Sequence, residues 1–249
     1  MSISRRTFAR NLLAATAGVS LQTLANTPAA NGPAGKLKIV CVGGHPDDPE
    51  SGCGGTLARF GSQGHEITIL YLTRGEAGIP GKTAAEAAAI RTAEAQAACR
   101  ILKAKPLFAG QIDGAGTVDN DWVERLGSMI MAEHPDIVFT HWPLDAHKDH
   151  QCASLLTIQA WMRNGRSFEL YFFEVCTGSQ TTGFRPTDYI DVTATREQKK
   201  EAVYCHTSQH PAEIYASADC NHALMEQFRG IEARVPAAEA FVRMSVEFK

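Results

Sequence analysis

Apolar positions along this chain fall into two alternating patterns. Short, nearly continuous apolar runs occur at LKIVCVGG (37–44), EITILYLT (66–73), PLFAGQ (106–111), DIVFTHW (136–142), ELYFFEVCT (169–177) and DYIDVT (188–193). Runs of this length, rich in β-branched residues and bounded by glycine, proline or charge, predict strands buried on both faces. Between them lie mixed apolar and polar stretches: 53–63 with Gly64 as a stop, the alanine-rich 83–104, 122–133, the segment after His150, and 195–206. Their composition and punctuation predict helices. The pattern beyond 206 commits to neither element. Strands alternating with helices predict an α/β domain whose sheet is mostly parallel and covered on both faces.

In such a sheet, ligands bind beyond the carboxyl ends of the strands. Polar clusters fall at three of those ends: HPDDPE after the first strand, TRGEAG after the second and HWPLDAHKDH after the fourth. Their convergence on one edge of the sheet predicts a site there.

The residue types in these clusters suit a metal. Pro46 biases the turn so that His45 and Asp48, three residues apart, face one point. Imidazole and carboxylate are donors for zinc or a similar divalent ion, and a catalytic zinc takes three protein ligands and keeps one position open. His147 and His150 also stand three apart, with Asp145 and Asp149 among them, and either histidine can complete the set. A cation there relieves the repulsion between adjacent aspartates. Asp48 can then ligate while Asp47 takes a proton from activated water and the remaining histidine serves an oxyanion. Taken singly, His-Pro-Asp-Asp reads as a turn with a helix cap, and the histidine pair as ordinary strand-end residues; together at one sheet edge they point to a metal site. Neither GxGxxG nor GxxxxGK[ST] is present, which argues against a dinucleotide or P-loop reading of GCGG. Arg74, beside Gly75 on the same edge, is a candidate substrate contact, whereas Arg91, inside a helix near Glu94, reads as a helix-surface ion pair or structural bridge.

The N-terminal stretch changes the address. Residues 1–30 hold Ser4-Arg5-Arg6-Thr7-Phe8, a mildly apolar run too short and polar to span a membrane, and small residues near 25–30. This is similar to a twin-arginine export signal, so the expected organisation is signal 1–30, linker 31–37 and one domain over 38–249, delivered to the periplasm or beyond by the twin-arginine machinery. Residues 1–30 carry three arginines and no acid, so their removal takes the formal charge from −3 to −6. A mildly acidic chain with no internal basic run argues against nucleic acid or an anionic membrane as partner, and stable membrane insertion is not expected. An oligomer is compatible with everything in the sequence. Seven cysteines (41, 53, 99, 152, 176, 205, 220) form no CxxC pair. Cys41 and Cys176 fall in strand-like runs and read as buried thiols; the sequence leaves room for one bridge in an oxidising compartment.

HPDDPESGCGGTLARF, LTRGEAG, IRTAEAQAACRIL and HWPLDAHKDH, in this order between about 38 and 209, resemble the LmbE-like and PIG-L-like N-acetylglucosaminyl deacetylases. The resemblance implies a Rossmann-like, three-layer α/β fold and a zinc-dependent hydrolase that deacetylates an N-acetylated sugar. It carries metal ligation to His45, Asp48 and His150, general-base chemistry to Asp47, oxyanion stabilisation to His147 and substrate contact to Arg74 and Asp113. The His/Asp/His set accommodates iron(II) as well as zinc. Two positions depart from the family pattern. Pro49 follows the aspartates where a glutamate is usual, leaving Glu50 unassigned, and Asp145 stands where some relatives place an aromatic against substrate, implying a different acyl or sugar environment. CHTSQ (205–209) also resembles a family segment near the site, with His206 either functional or a packing residue. The leading expectation is a deacetylase of a small-molecule N-acyl sugar. Its rivals are the same machinery on another small amide or thiol conjugate, and a non-catalytic periplasmic metal- or sugar-binding protein. The unligated Asp47 favours the enzymes.

Overall fold

The computed structural model describes residues 20–26, 35–177, 179–218 and 220–245. It contains one seven-stranded sheet in the order β3-β2-β1-β4-β5-β7-β6. The strands are β1 (Lys38–Gly43), β2 (Glu66–Tyr71), β3 (Ala104–Phe108), β4 (Ile137–His141), β5 (Glu169–Phe173), β6 (Asp188–Asp191) and β7 (Ala238–Arg243). The first five pair in parallel. β7 runs antiparallel between β5 and β6, so the parallel pattern read from the sequence ends at β5. The helices are α1 (Leu21–Ala25), α2 (Asp48–Ser62), α3 (Ala84–Leu102), α4 (Asn120–Ala132), α5 (Lys148–Arg163), α6 (Arg196–Tyr204), α7 (Pro211–Ala216) and α8 (His222–Ala233).

Strand periodicity divides the core into two layers. Ile39, Cys41, Ile69, Phe139 and Phe173 face one side with Leu57 and Phe60 of α2 and Ala95 and Leu102 of α3. Val40, Val42, Leu70, Val138 and Phe172 face the other with Leu126 of α4 and Leu156 of α5. Continuous apolar runs therefore correspond to strands buried on both faces. The glycines after the aspartates allow α2 to lie close to the sheet: a Cβ at Gly55 would come within 2.8 Å of Val192, and one at Gly52 would collide with the Phe173 ring.

The expected export signal lies largely outside the described residues. Of it, Leu21 and Ala25 are buried in the core, and Gln22 Oε1 accepts the Asp191 N–H at 2.6 Å. Among the described residues no helix is long and apolar enough to cross a membrane. Cys176 is not a buried strand thiol. β5 ends at Phe173, where pairing with β7 ends, and Cys176 sits in the following loop at φ 42°, bonded to Cys220.

The far side of the sheet is tied by a buried ion triad. Lys199 of α6, 2% exposed, lies 2.9 Å from Glu226 of α8 and 2.7 Å from Glu239 of β7. Glu239 also accepts the N–H groups of Gly55 and Thr56 in α2. Burial alone would lower the lysine pKa, but the two carboxylates raise it, so the group stays charged. Lys199→Met strands two carboxylates in the interior. We expect a loss of roughly 3–5 kcal/mol in urea unfolding, and a loss under 1 kcal/mol would refute the triad's structural role.

Candidate active site

The strand order reverses direction between β1 and β4, and the loops leaving these two strands splay apart at that switch point. Between them opens a cavity of about 630 Å³, sized for a small molecule and lined by His45, Asp47, Asp48, Asp113, His147 and His150 among others.

Asp48 begins α2 directly beyond β1, and its carboxylate is the hub of the site. Oδ2 lies 3.1 Å from His45 Nδ1, 3.1 Å from His150 Nε2 and 3.4 Å from His141 Nε2. It also accepts the His45 N–H at 2.7 Å. Burial alone would raise the Asp48 pKa; His150 and His141 overcome that and hold it well below the usual carboxylate range. His150 is pushed up to about 9: burial works against its charge, and Asp48 and Asp145 outweigh burial.

His45 and His150 each have a further carboxylate close to the other ring nitrogen, whereas His141 Nδ1 has none among the described residues. His45 Nε2 lies 3.1 Å from Asp113 and 3.2 Å from Asp149, and His150 Nδ1 lies 3.2 Å from Asp145. Each of these two rings therefore presents one nitrogen to Asp48 and the other to a supporting carboxylate, the arrangement that fixes metal-ligating histidines. Asp149, fully buried, accepts in addition the N–H groups of Gly114 and Gly116, which pins the loop after β3 against α5. Asp48 with His141 and His150, and His45 with His147 and His150, each bring three donor atoms close enough together to fit a divalent cation such as zinc or iron(II), and Asp48 lies 3.1 Å from both His45 and His150.

His147 caps α5: its Nδ1 accepts the Asp149 N–H at 3.2 Å. That bond leaves the proton on Nε2. Burial, with His45 and His150 nearby, lowers its pKa and favours the neutral ring, a hydrogen-bond donor at the cavity wall. Asp47 stands beside Asp48 and pairs with Arg91 at 3.0 Å. Burial lifts its pKa to about 6, with the Arg91 guanidinium pulling the other way.

Other residues occupy places the sequence did not suggest. Arg74 pairs with Glu76 at 3.2 Å, its side chain half exposed, and does not line the cavity. Asp145 is buried beneath His150, where it also accepts the His147 N–H at 2.7 Å, so it supports the histidines and does not face the cavity. Asp113 lines the cavity and accepts the Ala77 N–H. Arg91 does not pair with Glu94; it reaches Asp47, while Glu94 accepts from Thr207 and Ser208. Glu50, left unassigned, accepts the Asp47 N–H at 3.2 Å and the Tyr71 O–H at 2.5 Å and lies 3.3 Å from His206. His141 escaped sequence reasoning altogether. It ends β4 fully buried, accepts the Gly44 N–H at 3.0 Å and stacks on His150 at 4.0 Å between ring centroids. Its own position, at a strand's carboxyl end inside the HWPLDAHKDH cluster, was the available signal.

Known proteins are similar to this chain in sequence and fold. Residues 40–161 match the PIG-L family model, described as GlcNAc-PI de-N-acetylase. The chain is 28% identical over 194 residues to the diacetylchitobiose deacetylase of Thermococcus kodakarensis, covering 72% of each. It is also 28% identical to the 4-oxalmesaconate hydratase of Pseudomonas putida, over 71% of this chain and 76% of that one. Among solved structures, a conserved protein from Thermus thermophilus superposes with a TM-score of 0.72 at 30% identity, covering 86% of this chain and 97% of that one. The chain belongs to the PIG-L family of de-N-acetylases, hydrolytic enzymes built on this α/β fold.

Proposed function

We propose that this protein is an exported, zinc-dependent hydrolase that removes an acetyl group from an N-acetylated sugar of the N-acetylglucosamine type. The observation that carries the reading is the approach of His45 and His150 to the Asp48 carboxylate, beside a second carboxylate, Asp47, that pairs with Arg91. A bound divalent ion would supply Lewis acidity, lowering the pKa of water and polarising the amide carbonyl. Asp47 accepts the proton of the attacking water and passes it to the departing amine. His147 donates from Nε2 to the oxygen that becomes negative as the carbonyl carbon turns tetrahedral. In this reading Asp113, at the cavity wall, accepts from sugar hydroxyls as well as from the Ala77 N–H.

The likeness to a hydratase raises a second reading, addition of water to a double bond in an organic acid. The lining disfavours it. Asp47, Asp48, Asp113 and Glu213 border the cavity, and the arginine or lysine present among the described lining residues, Arg91, is already engaged by Asp47. Apart from imidazoles that are themselves close to carboxylates, such walls offer a multiply charged anion no unengaged cation, so a neutral sugar amide suits them better.

Acetate release from N-acetylglucosamine and a panel of N-acetyl sugars, measured on zinc-loaded protein, tests the reaction. Asp47→Asn should cut kcat by at least 10²-fold, in the upper part of the general-base range, with zinc still bound. Unchanged turnover removes Asp47 as the base. His150→Ala should lose the metal while circular dichroism stays native, and retained stoichiometric metal counts against its ligation. Export is supported by Arg5-Arg6 and by the Cys176–Cys220 bridge, which suits an oxidising compartment. Replacing both arginines by lysine should leave the protein in the cytoplasmic fraction; continued export would exclude a twin-arginine route.

A further inference from the structure

Arg91 is a buried cation that the proposed reaction does not use. It lies on α3, far from Asp47 in sequence, with its side chain 4% exposed. Its Nη2 donates to Asp47 Oδ2 at 3.0 Å and also to the carbonyl oxygen of Pro46. One amino group thus bridges the carboxylate of Asp47 and the peptide that precedes it. The backbone at that point needs such a hold: Asp47 has φ 112°, in the region that L side chains rarely adopt.

The loop after β2 is shaped around this guanidinium. A Cβ at Gly75 would come within 2.6 Å of Arg91 Cζ, and a Cβ at Gly78 would collide with Nη1. The two glycines, Gly75 of TRGEAG and Gly78 at its end, therefore form a cradle that lets Arg91 reach Asp47. Gln209 Nε2, donating to the Gly78 carbonyl at 3.1 Å, closes the cradle from the loop after α6. Asp47 is fixed from its other flank as well, by its N–H bond to Glu50.

We propose that Arg91 is a positioning residue for the general base. By holding Oδ2 and the strained 46–47 peptide, it aims Oδ1 of Asp47 at the water beside the candidate metal set. This rests on the deacetylase reading of the site, in which Asp47 takes that proton. Arginine suits the task because its planar fork is always charged and pre-organised, whereas lysine offers a single flexible ammonium. Misplacing a reacting group by about 1 Å lowers the rate by about 10²-fold, and that sets the expected size of the effect.

The test compares wild type, Arg91→Met and Arg91→Lys, each zinc-loaded, for metal content, kcat and KM on the best N-acetyl sugar. Arg91→Met should keep one equivalent of zinc and its KM within about twofold, with kcat down by about 10²-fold. Arg91→Lys should recover part of kcat, and added guanidinium ion should restore activity to Arg91→Met by filling the glycine cradle. A raised KM with unchanged kcat would make Arg91 a substrate contact and overturn the proposal. Loss of zinc would overturn it too, by making Arg91 a support of the metal turn. If wild type hydrolyses no amide, the deacetylase reading fails separately. The crystal structure of zinc-loaded Arg91→Met then decides: an Asp47 carboxylate in its wild-type position overturns the positioning role, and a displaced one supports it.

Discussion

Two adjacent carboxylates, Asp48 buried and Asp47 largely so, are the constraint around which the rest of this fold is arranged. Desolvated acids in adjacent positions disfavour each other's charge, and the chain answers by giving each a different surrounding. Asp48 is ringed by His45, His141 and His150, and His150 and His141 hold its pKa well below the usual carboxylate range. Asp47 pairs with Arg91, and burial keeps its pKa near 6. Two like groups thus acquire unlike chemistry, one suited to hold a cation and the other to exchange a proton.

That division recruits most of the parallel half of the sheet. β1 delivers the aspartates, β4 ends in His141 and leads to His147 and His150, the loop after β3 brings Asp113, and α3 sends Arg91 across the loop after β2. The switch point is where these segments meet, because the connections from β1 and β4 leave the sheet on opposite faces. The antiparallel half plays a different part. β7 carries Glu239, whose carboxylate receives Lys199 and two amides of α2, so the helix that begins at Asp48 is anchored from the sheet's far side.

The strands and the fold class were legible because strands buried on both faces are continuously apolar, and the polar clusters at their ends were legible because such residues have no structural reason to follow a buried strand. Contacts that cross between elements were not. Nothing local distinguishes Arg74, which turns to the nearby Glu76, from Arg91, which lies in an ordinary helical context and reaches Asp47 through three dimensions. Asp145 looked like a cavity residue by position, yet the turn before α5 folds it under His150. β7 hid in a segment whose AEAFVR pattern alternates weakly, as suits an antiparallel strand inserted between two others. The Cys176–Cys220 pairing depends on where β5 stops, and an apolar run does not mark its own end.

The unusual Pro49 follows from the same economy of space. A proline in the first turn of a helix lacks only an N–H that would have had no intrahelical partner, and its fixed φ suits the start of α2. Its ring lies against β1 so closely that a Cβ at Gly43 would sit 2.5 Å from Pro49 Cγ, so the proline and the glycine are complementary. The acid then falls one place later, at Glu50, fully buried and three residues past Asp47, where its carboxylate reaches back to the Asp47 N–H. Tyr71 from β2 and His206 from the loop after α6 close around it. A glutamate at 49 would stand one helical position away and could not fill this role from the same backbone. The departure from the usual motif therefore leaves the turn at Asp47 capped, with its acid supplied by the next residue along the helix.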